Sequence, residues 1–349
     1  MTGDKELENG NFALLIAAYL TLNTSLNLLN KWALGHYGLA FPLVLTSTHM
    51  LFSFMVLAPI ALRTQWEIHE RTLTKQWRGI VYIGCFMALN IALNNISLLD
   101  ISLSLNQIIR SAIPVVTCLL SAVVERKIPT QQEVTALLIL TIGVMITVWQ
   151  GAVTGKPHAI MFCILGTVCN GAMMTFSSKL LSEKLDVVRL TFYTAPVSLV
   201  CLAPFMFWRE FRNFQAYFVT NNTNVTGIML VSSLNAVCYN AIHALVIKRT
   251  SAVTTTVIGE IKIVALLALS ALLLGESKDF TAKMLFGIGL AMTGFVMYSH
   301  VKLAKARSAA ATLPRVASQN GTSSGTKGNN STEDLPLLNK EMTSPPPRV

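Results

Sequence analysis

The chain is 349 residues long, 52% hydrophobic and only 13% charged, where a soluble domain carries about one quarter charged residues. Its 27 Lys and Arg outnumber its 17 Asp and Glu, for a formal charge of +10, but the basic residues gather between apolar runs with no interleaved aromatics, which argues against nucleic-acid binding. Those apolar runs are each long enough to cross a hydrocarbon core of roughly 30 Å, so an ordinary soluble enzyme is excluded and the chain reads as an all-α polytopic membrane protein.

Ten spans are expected, at 12–34, 40–62, 78–99, 101–123, 133–151, 158–180, 188–208, 227–247, 251–274 and 282–301. Residues 1–11, with Asp4, Glu6 and Glu8, do not resemble a signal or transit peptide, so the first span is expected to be retained. The six cysteines fall inside apolar runs without metal or disulfide spacing and read as core thiols. The stretch 302–349 is rich in Ser, Thr, Asn, Gly and Pro and is expected to be disordered. Within it, the run Glu333-Asp334-Leu335-Pro336-Leu337-Leu338 has either of two readings: an acidic dileucine signal for a sorting adaptor, or a chance run in a biased tail.

Orientation follows from Lys and Arg in alternate loops. With both termini cytosolic, fourteen face the cytosol: Arg63, Arg71, Lys75, Arg78, Arg126, Lys127, Lys179, Lys184, Arg189, Lys248, Arg249, Lys302, Lys305 and Arg307. Six face the other side: Lys31, Lys156, Arg209, Arg212, Lys278 and Lys283. Cytosolic termini are favoured, and the Asn-x-Thr sequons at Asn221 and Asn224 are then expected in a lumenal loop open to glycosylation.

The halves echo one another. Leu120-Ser121-Ala122, Glu125 and Gly143 recur as Leu269-Ser270-Ala271, Glu276 and Gly294, with 18 residues from Glu to Gly in each copy. Five spans per copy is an odd number, so two repeats, 12–151 and 158–301, must enter the membrane from opposite sides; such inverted topology lets a carrier alternate access around a central site.

A cation at mid-span costs roughly 2.5–3.5 kcal/mol or more, so it faces a cavity or a partner. Arg110 lies midway along the fourth span and Lys262 midway along the ninth, its counterpart, and the pair is expected to form an anion site near the midplane. Polar residues at helical spacing surround them: Gln107 and Ser111 on the fourth span, Thr255 and Gly259 on the ninth, Tyr19, Asn23 and Asn27 on the first, Asn90 and Asn94 on the third, and Asn235, Tyr239 and His243 on the eighth. Glu260 lies about 200° around its helix from Lys262, so it either pairs with a cation such as Arg110 or meets a donor on the ligand. No metal-binding pair, nucleophile elbow or phosphate loop is present, so neither catalysis nor a cofactor is expected.

Several strings carry a family resemblance: Asn30-Lys31-Trp32, Phe41-Pro42-Leu43, Asn95-Ile96-Ser97-Leu98, the run from Ser102 to Pro114, Phe192-Tyr193 with Ala195-Pro196, and the run from Thr250 to Lys262. Across 12–301 the chain resembles the nucleotide-sugar and triose-phosphate translocators of the drug/metabolite transporter superfamily. The resemblance implies ten helices in two inverted repeats and exchange of an organic phosphate. In the plastid phosphate-exchanging branch, a basic residue of the fourth helix and a Lys-Arg pair of the ninth hold the phosphate. Arg110 and Lys262 match, but Ile263 replaces the Arg, and Met174 stands where that branch has another Arg. Two cations are missing, which favours the nucleotide-sugar branches; Glu260, two places before Lys262 where His or Asn is usual, would then bear on base or sugar specificity. Tyr193, Asn235, Tyr239, Asn240 and His243 become candidates for base and sugar contacts.

The expected function is a nucleotide-sugar antiporter of the Golgi or related endomembranes, exchanging cytosolic nucleotide-sugar for lumenal nucleoside monophosphate. The alternatives are a plastid-type exchanger of phosphorylated sugars for inorganic phosphate and a non-transporting scaffold. Membrane lipid is an expected partner; a homodimer is left open.

Overall fold

The computed structural model describes residues 2–36, 39–63, 66–98, 100–101, 103–149, 155–183, 185–261 and 281–320. Apart from one isolated bridge between Ile101 and Gly155, the regular structure among them is helical, and nine helices are long and apolar enough to cross a membrane. The described helices, eleven in all, are in chain order α1 (Thr2–Lys31), which runs into a π turn at Trp32–His36, α2 (Pro42–Leu62), α3 (Trp66–Ser97), α4 (Leu103–Arg110), α5 (Ile113–Val124), α6 (Gln131–Val148), α7 (Pro157–Ser182), α8 (Val187–Arg209), α9 (Phe211–Arg249), α10 (Ala252–Ile261) and α11 (Ala282–Asn320). The fourth span is α4 and α5 together. The ninth is described only as far as α10.

Local chemistry sets the ends. Thr130 and Glu133 form a capping box on α6: the Thr130 hydroxyl accepts from the Glu133 amide at 3.3 Å, and Glu133 Oε2 accepts from the Thr130 amide at 2.9 Å. Asp186 caps α8 by accepting from the Val188 amide at 3.1 Å. The α2 N-terminus is capped from far along the chain, where Glu210 Oε2, between α8 and α9, accepts from the amides of Leu43 at 2.8 Å and Val44 at 2.9 Å. Burial pushes the Glu210 carboxyl above its usual range, against the opposing pull of those two amides.

Four expectations need correction. The third span starts at Trp66 instead of 78, because the polar stretch before it contains no proline and no glycine until Gly79 and simply extends the helix. The element Phe211–Arg249 is two helices joined at Asn221, whose φ −124° and ψ 23° are not helical and whose side-chain amide donates to the Tyr217 carbonyl at 3.2 Å; a short helix thus precedes the eighth span, and Asn224 lies on a helix with Asn221 at the joint, where a lumenal loop was expected. The helix of the tenth span continues past 302 to Asn320, and residues 302–311, rich in Ala, Lys and Arg, are strong helix formers. The fourth span is broken, since Pro114 lacks the N–H that would bond the Arg110 carbonyl and its ring crowds that oxygen; Ser111 and Ala112 form the turn.

The long helices pack in crossed pairs: α3 on α7 and α8, α2 on α8 and α9, α1 on α9, α5 on α7. At the crossing of α6 and α11 the backbones touch. A Cβ built on Gly143 would lie 2.3 Å from the Ala291 amide nitrogen, and one on Gly294 would lie 2.4 Å from that of Leu140. Leu137, Leu140, Val144 and Ala291 are buried there. Outward-facing side chains such as Leu14, Val123, Val200 and Val219 are large and apolar, as a surface solvated by lipid requires.

Candidate functional site

Between the helices lies a cavity of about 420 Å³, lined by Tyr19, Asn23, Asn27, Gln107, Arg110, Ser111, Ile113, Asn170, Met173, Met174, Tyr239, His243, Thr255, Thr256, Gly259 and Glu260. Volume and mixed lining are those of a small-molecule site. Polar residues on α1, α4, α9 and α10 that the sequence stripes single out meet here.

Arg110 is presented by the broken span. It occupies the last turn of α4, where the helix dipole favours a cation. Its Nη1 donates to Asn90 Oδ1 at 3.1 Å and Asn94 Oδ1 at 3.2 Å, one turn apart on α3. Asn94 Oδ1 also accepts from Asn106 at 3.0 Å, and the Asn106 amide reaches Ser97 Oγ at 3.3 Å. The guanidinium is thus oriented by neutral amides, both its hydrogen bonds leave through Nη1, and further donors of its planar fork remain for an anion. Glu260, 7% exposed, lines the same cavity and acts electrostatically on Arg110. Along α1, Asn27 donates to Asn23 Oδ1 at 2.6 Å and Asn23 to the Tyr19 hydroxyl at 3.4 Å. A Cβ on Gly259 would come 3.7 Å from that hydroxyl, and Thr255, which donates to the Ser251 carbonyl at 2.8 Å, stands one turn before it.

Three rings line one side. Tyr19 and Tyr239 stack at 6.0 Å, Tyr19 and His243 at 5.6 Å, and Tyr239 and His243 at 5.3 Å, with interplanar angles of 23°, 14° and 9°. Tyr239, His243, Asn170 and Met173 also border a second cavity of about 230 Å³, which Asn240 lines as well.

Two candidates stand elsewhere. The Tyr193 hydroxyl is hydrogen-bonded to His69 Nδ1, and His69 Nε2 meets the Ala61 carbonyl at 2.8 Å; since only N–H can face a carbonyl, Nδ1 accepts and Tyr193 donates, tying α8 to α3. Asn235 exchanges hydrogen bonds with Ser25 at 2.9 and 3.3 Å, joining α1 to α9 beside an open apolar groove. His49 is a satisfied buried histidine: Ser232 Oγ donates to Asn30 Oδ1 at 2.9 Å and so accepts from His49 Nε2 at 2.8 Å. Lys262 lies outside the described residues, as do Glu333, Leu337 and Leu338. Sequence reasoning missed Asn170, Met173 and Thr256. Asn170 sits alone in an apolar stretch of α7, so its only signal was an amide at mid-span.

The sequence profile of the Triose-phosphate Transporter family matches residues 11–299. A probable sugar phosphate/phosphate translocator of Arabidopsis thaliana is 28% identical over 83% of this chain and 81% of its own. A UDP-uronic acid transporter of the same plant is 26% identical over 82% of this chain and 94% of its own. In fold, a crystal structure of a protein 14% identical in sequence superposes with a TM-score of 0.56, covering 82% of this chain and 96% of that one. A profile that spans nearly every described helix, on a bundle with a polar cavity at its centre, makes this chain a multi-pass membrane transporter of the Triose-phosphate Transporter family.

Proposed function

We propose that the chain is a nucleotide-sugar antiporter of an endomembrane such as the Golgi, with both termini cytosolic, exchanging cytosolic nucleotide-sugar for lumenal nucleoside monophosphate. One observation carries the reading: a fork-shaped cation, Arg110, and stacked rings, Tyr19, Tyr239 and His243, line the same cavity. A phosphate suits the first. The flat face of a base suits the second. Lys262, the residue that follows the described part of α10, would add the second positive charge, and Glu260 would balance Arg110 when the cavity is empty. Nucleoside monophosphate and nucleoside diphosphate-sugar each carry about two negative charges, so one-for-one exchange is nearly electroneutral.

Two five-helix repeats of inverted topology would supply the alternation. The packing supports them, because contacts between the halves come in swapped pairs: third span on sixth with first on eighth, and second on eighth with third on seventh. Gly143 meets Ala291, and Gly294 meets Leu140, each three residues before the partner glycine. The second reading, exchange of a phosphorylated sugar for inorganic phosphate, draws on the printed name of the Arabidopsis relative. Proteoliposomes loaded with nucleoside monophosphate or with inorganic phosphate separate the two. Uptake of labelled nucleotide-sugar against internal nucleoside monophosphate is expected; uptake driven only by internal phosphate would overturn the main reading, and no exchange of any phosphorylated solute would leave the scaffold.

A further inference from the structure

The second cavity shares the Tyr239 and His243 rings with the first but differs in charge. Among the described residues that line it there is no Lys, Arg, Asp or Glu. Its polar groups are Ser53, Asn90, Asn170, Thr191, Thr194 and Asn240, beside Ser177 and the two shared rings. Three of these have hydrogen-bonding capacity that no other described residue uses. Ser53 is fully buried behind the cavity wall, and its hydroxyl has no hydrogen-bond partner among the described residues. Asn170 and Asn240 face the cavity, and neither amide is bonded to a described residue.

The threonines complement them. Thr191 donates its proton to the Val187 carbonyl at 3.1 Å and Thr194 to the Leu190 carbonyl at 2.8 Å, so each oxygen is left as an acceptor. The lining therefore offers amide donors and hydroxyl acceptors, the complement of a ring that carries hydroxyl groups. Asn90 joins the two cavities: it lines the second and accepts the Arg110 guanidinium of the first. A ligand whose phosphate meets Arg110 would have its uncharged end here.

We infer that the second cavity is the subsite for the uncharged, hydroxyl-bearing ring of the transported phosphate ester, and that it rejects the same ring when oxidised to a carboxylate. This rests on the proposed exchange of phosphorylated sugars or nucleotide-sugars. Neutral hydroxyls exchange water for the Asn170 and Asn240 amides and the threonine oxygens at little cost. A carboxylate loses its hydration with no cation in the described lining to receive it. The UDP-uronic acid transporter among the relatives is thus a protein from which this chain should differ in sugar class, despite 26% identity.

Matched pairs test this on the full chain in proteoliposomes. UDP-glucose is set against UDP-glucuronate, and glucose 1-phosphate against glucuronate 1-phosphate, as inhibitors of whichever exchange the wild type performs. In the pair that competes, the neutral member should do so at about tenfold lower concentration or better. Asn240→Leu should shrink that advantage by weakening the neutral member, and Thr194→Lys should shrink it by strengthening the carboxylated one. Equal or better competition by the carboxylated member in the wild type overturns the subsite, as does an Asn240→Leu variant with undiminished preference. Absence of exchange with any phosphorylated solute overturns the functional reading, whereas exchange without the neutral preference overturns the subsite alone, which separates the two failures.

Discussion

Replacing Gly294 with alanine would force a methyl group into the crossing of α6 and α11. The new Cβ would lie 2.4 Å from the Leu140 amide nitrogen, 2.8 Å from its Cα and 2.9 Å from the Ala136 carbonyl oxygen. Non-bonded heavy atoms settle at roughly 3.5–4.0 Å. Every offending atom belongs to backbone or sits beside it, so no side chain can swing away and the helices must part by about 1 Å. Overpacking of this kind costs about 1–3 kcal/mol. Alanine also favours the helix over glycine by roughly 1 kcal/mol, which would mask part of the loss. Gly289→Ala, on the same helix with nothing within 4 Å of its Cβ, carries the same helix gain without the clash. The difference between the two variants therefore isolates the packing term. Thermal unfolding of the detergent-purified protein should place Gly294→Ala several degrees below Gly289→Ala. Gly143→Ala, 2.3 Å from the Ala291 nitrogen, should behave like Gly294→Ala, and the double variant should lose less than the two losses combined, because helices already parted accept the second methyl more readily. Coincident melting of Gly289→Ala and Gly294→Ala would refute the close crossing.

Other outcomes are checked in the same preparations. Arg110→Lys keeps the charge but loses the planar fork, and should lower exchange kcat/KM by tenfold or more (a loss of about 1.4 kcal/mol or greater); Asn94→Ala, which frees the guanidinium from one orienting bond, should raise KM more than it lowers kcat. Tyr193→Phe should destabilise by about 0.5–1.5 kcal/mol and add almost nothing to His69→Phe, since the two share one chain of hydrogen bonds; additive losses in the melting temperature would break the assignment. Lys156 and His158 beside Asp100 hold its carboxyl below the usual carboxylate range. With the folded value depressed, its contribution is present above the unfolded value and disappears as pH falls through the folded one. Asp100→Asn should accordingly melt below wild type at neutral pH and converge with it in acid.

Hydropathy located the membrane spans because apolar residues there face either lipid or each other. It missed the first turns of α3, which are polar, and the start of α9, a short amphipathic stretch whose Phe214, Tyr217 and Phe218 pack on a core cluster but make no continuous apolar run. The break in the fourth span was legible in Pro114, and the α1 stripe of Tyr19, Asn23 and Asn27 pointed at the cavity because residues four apart share a face. Asn235 also belonged to a stripe, yet it faces Ser25. Periodicity orders residues around one helix without saying which neighbour each face meets. The ring cluster was hidden for the same reason, being assembled from α1 and α9. Tyr193 illustrates another limit: a string typical of a family marks a position without saying whether its side chain touches the ligand or braces a helix. Asn170, a single amide in an apolar helix, had no partner in sequence to make a pattern.

The interrupted fourth span bears on turnover. Pro114 has no proton for the Arg110 carbonyl, so the residue that offers a cation through its side chain carries, at the negative end of α4, a backbone oxygen that no α-helical bond from residue 114 occupies. A helix terminus of this kind offsets about 0.3–1 kcal/mol of a neighbouring charge interaction. An anion held by Arg110 would leave roughly two to five times sooner than from an arginine in an unbroken helix. Carriers cycle only as fast as they let go, and a proline four residues from the proposed binding cation would be a simple way to keep the residence time short.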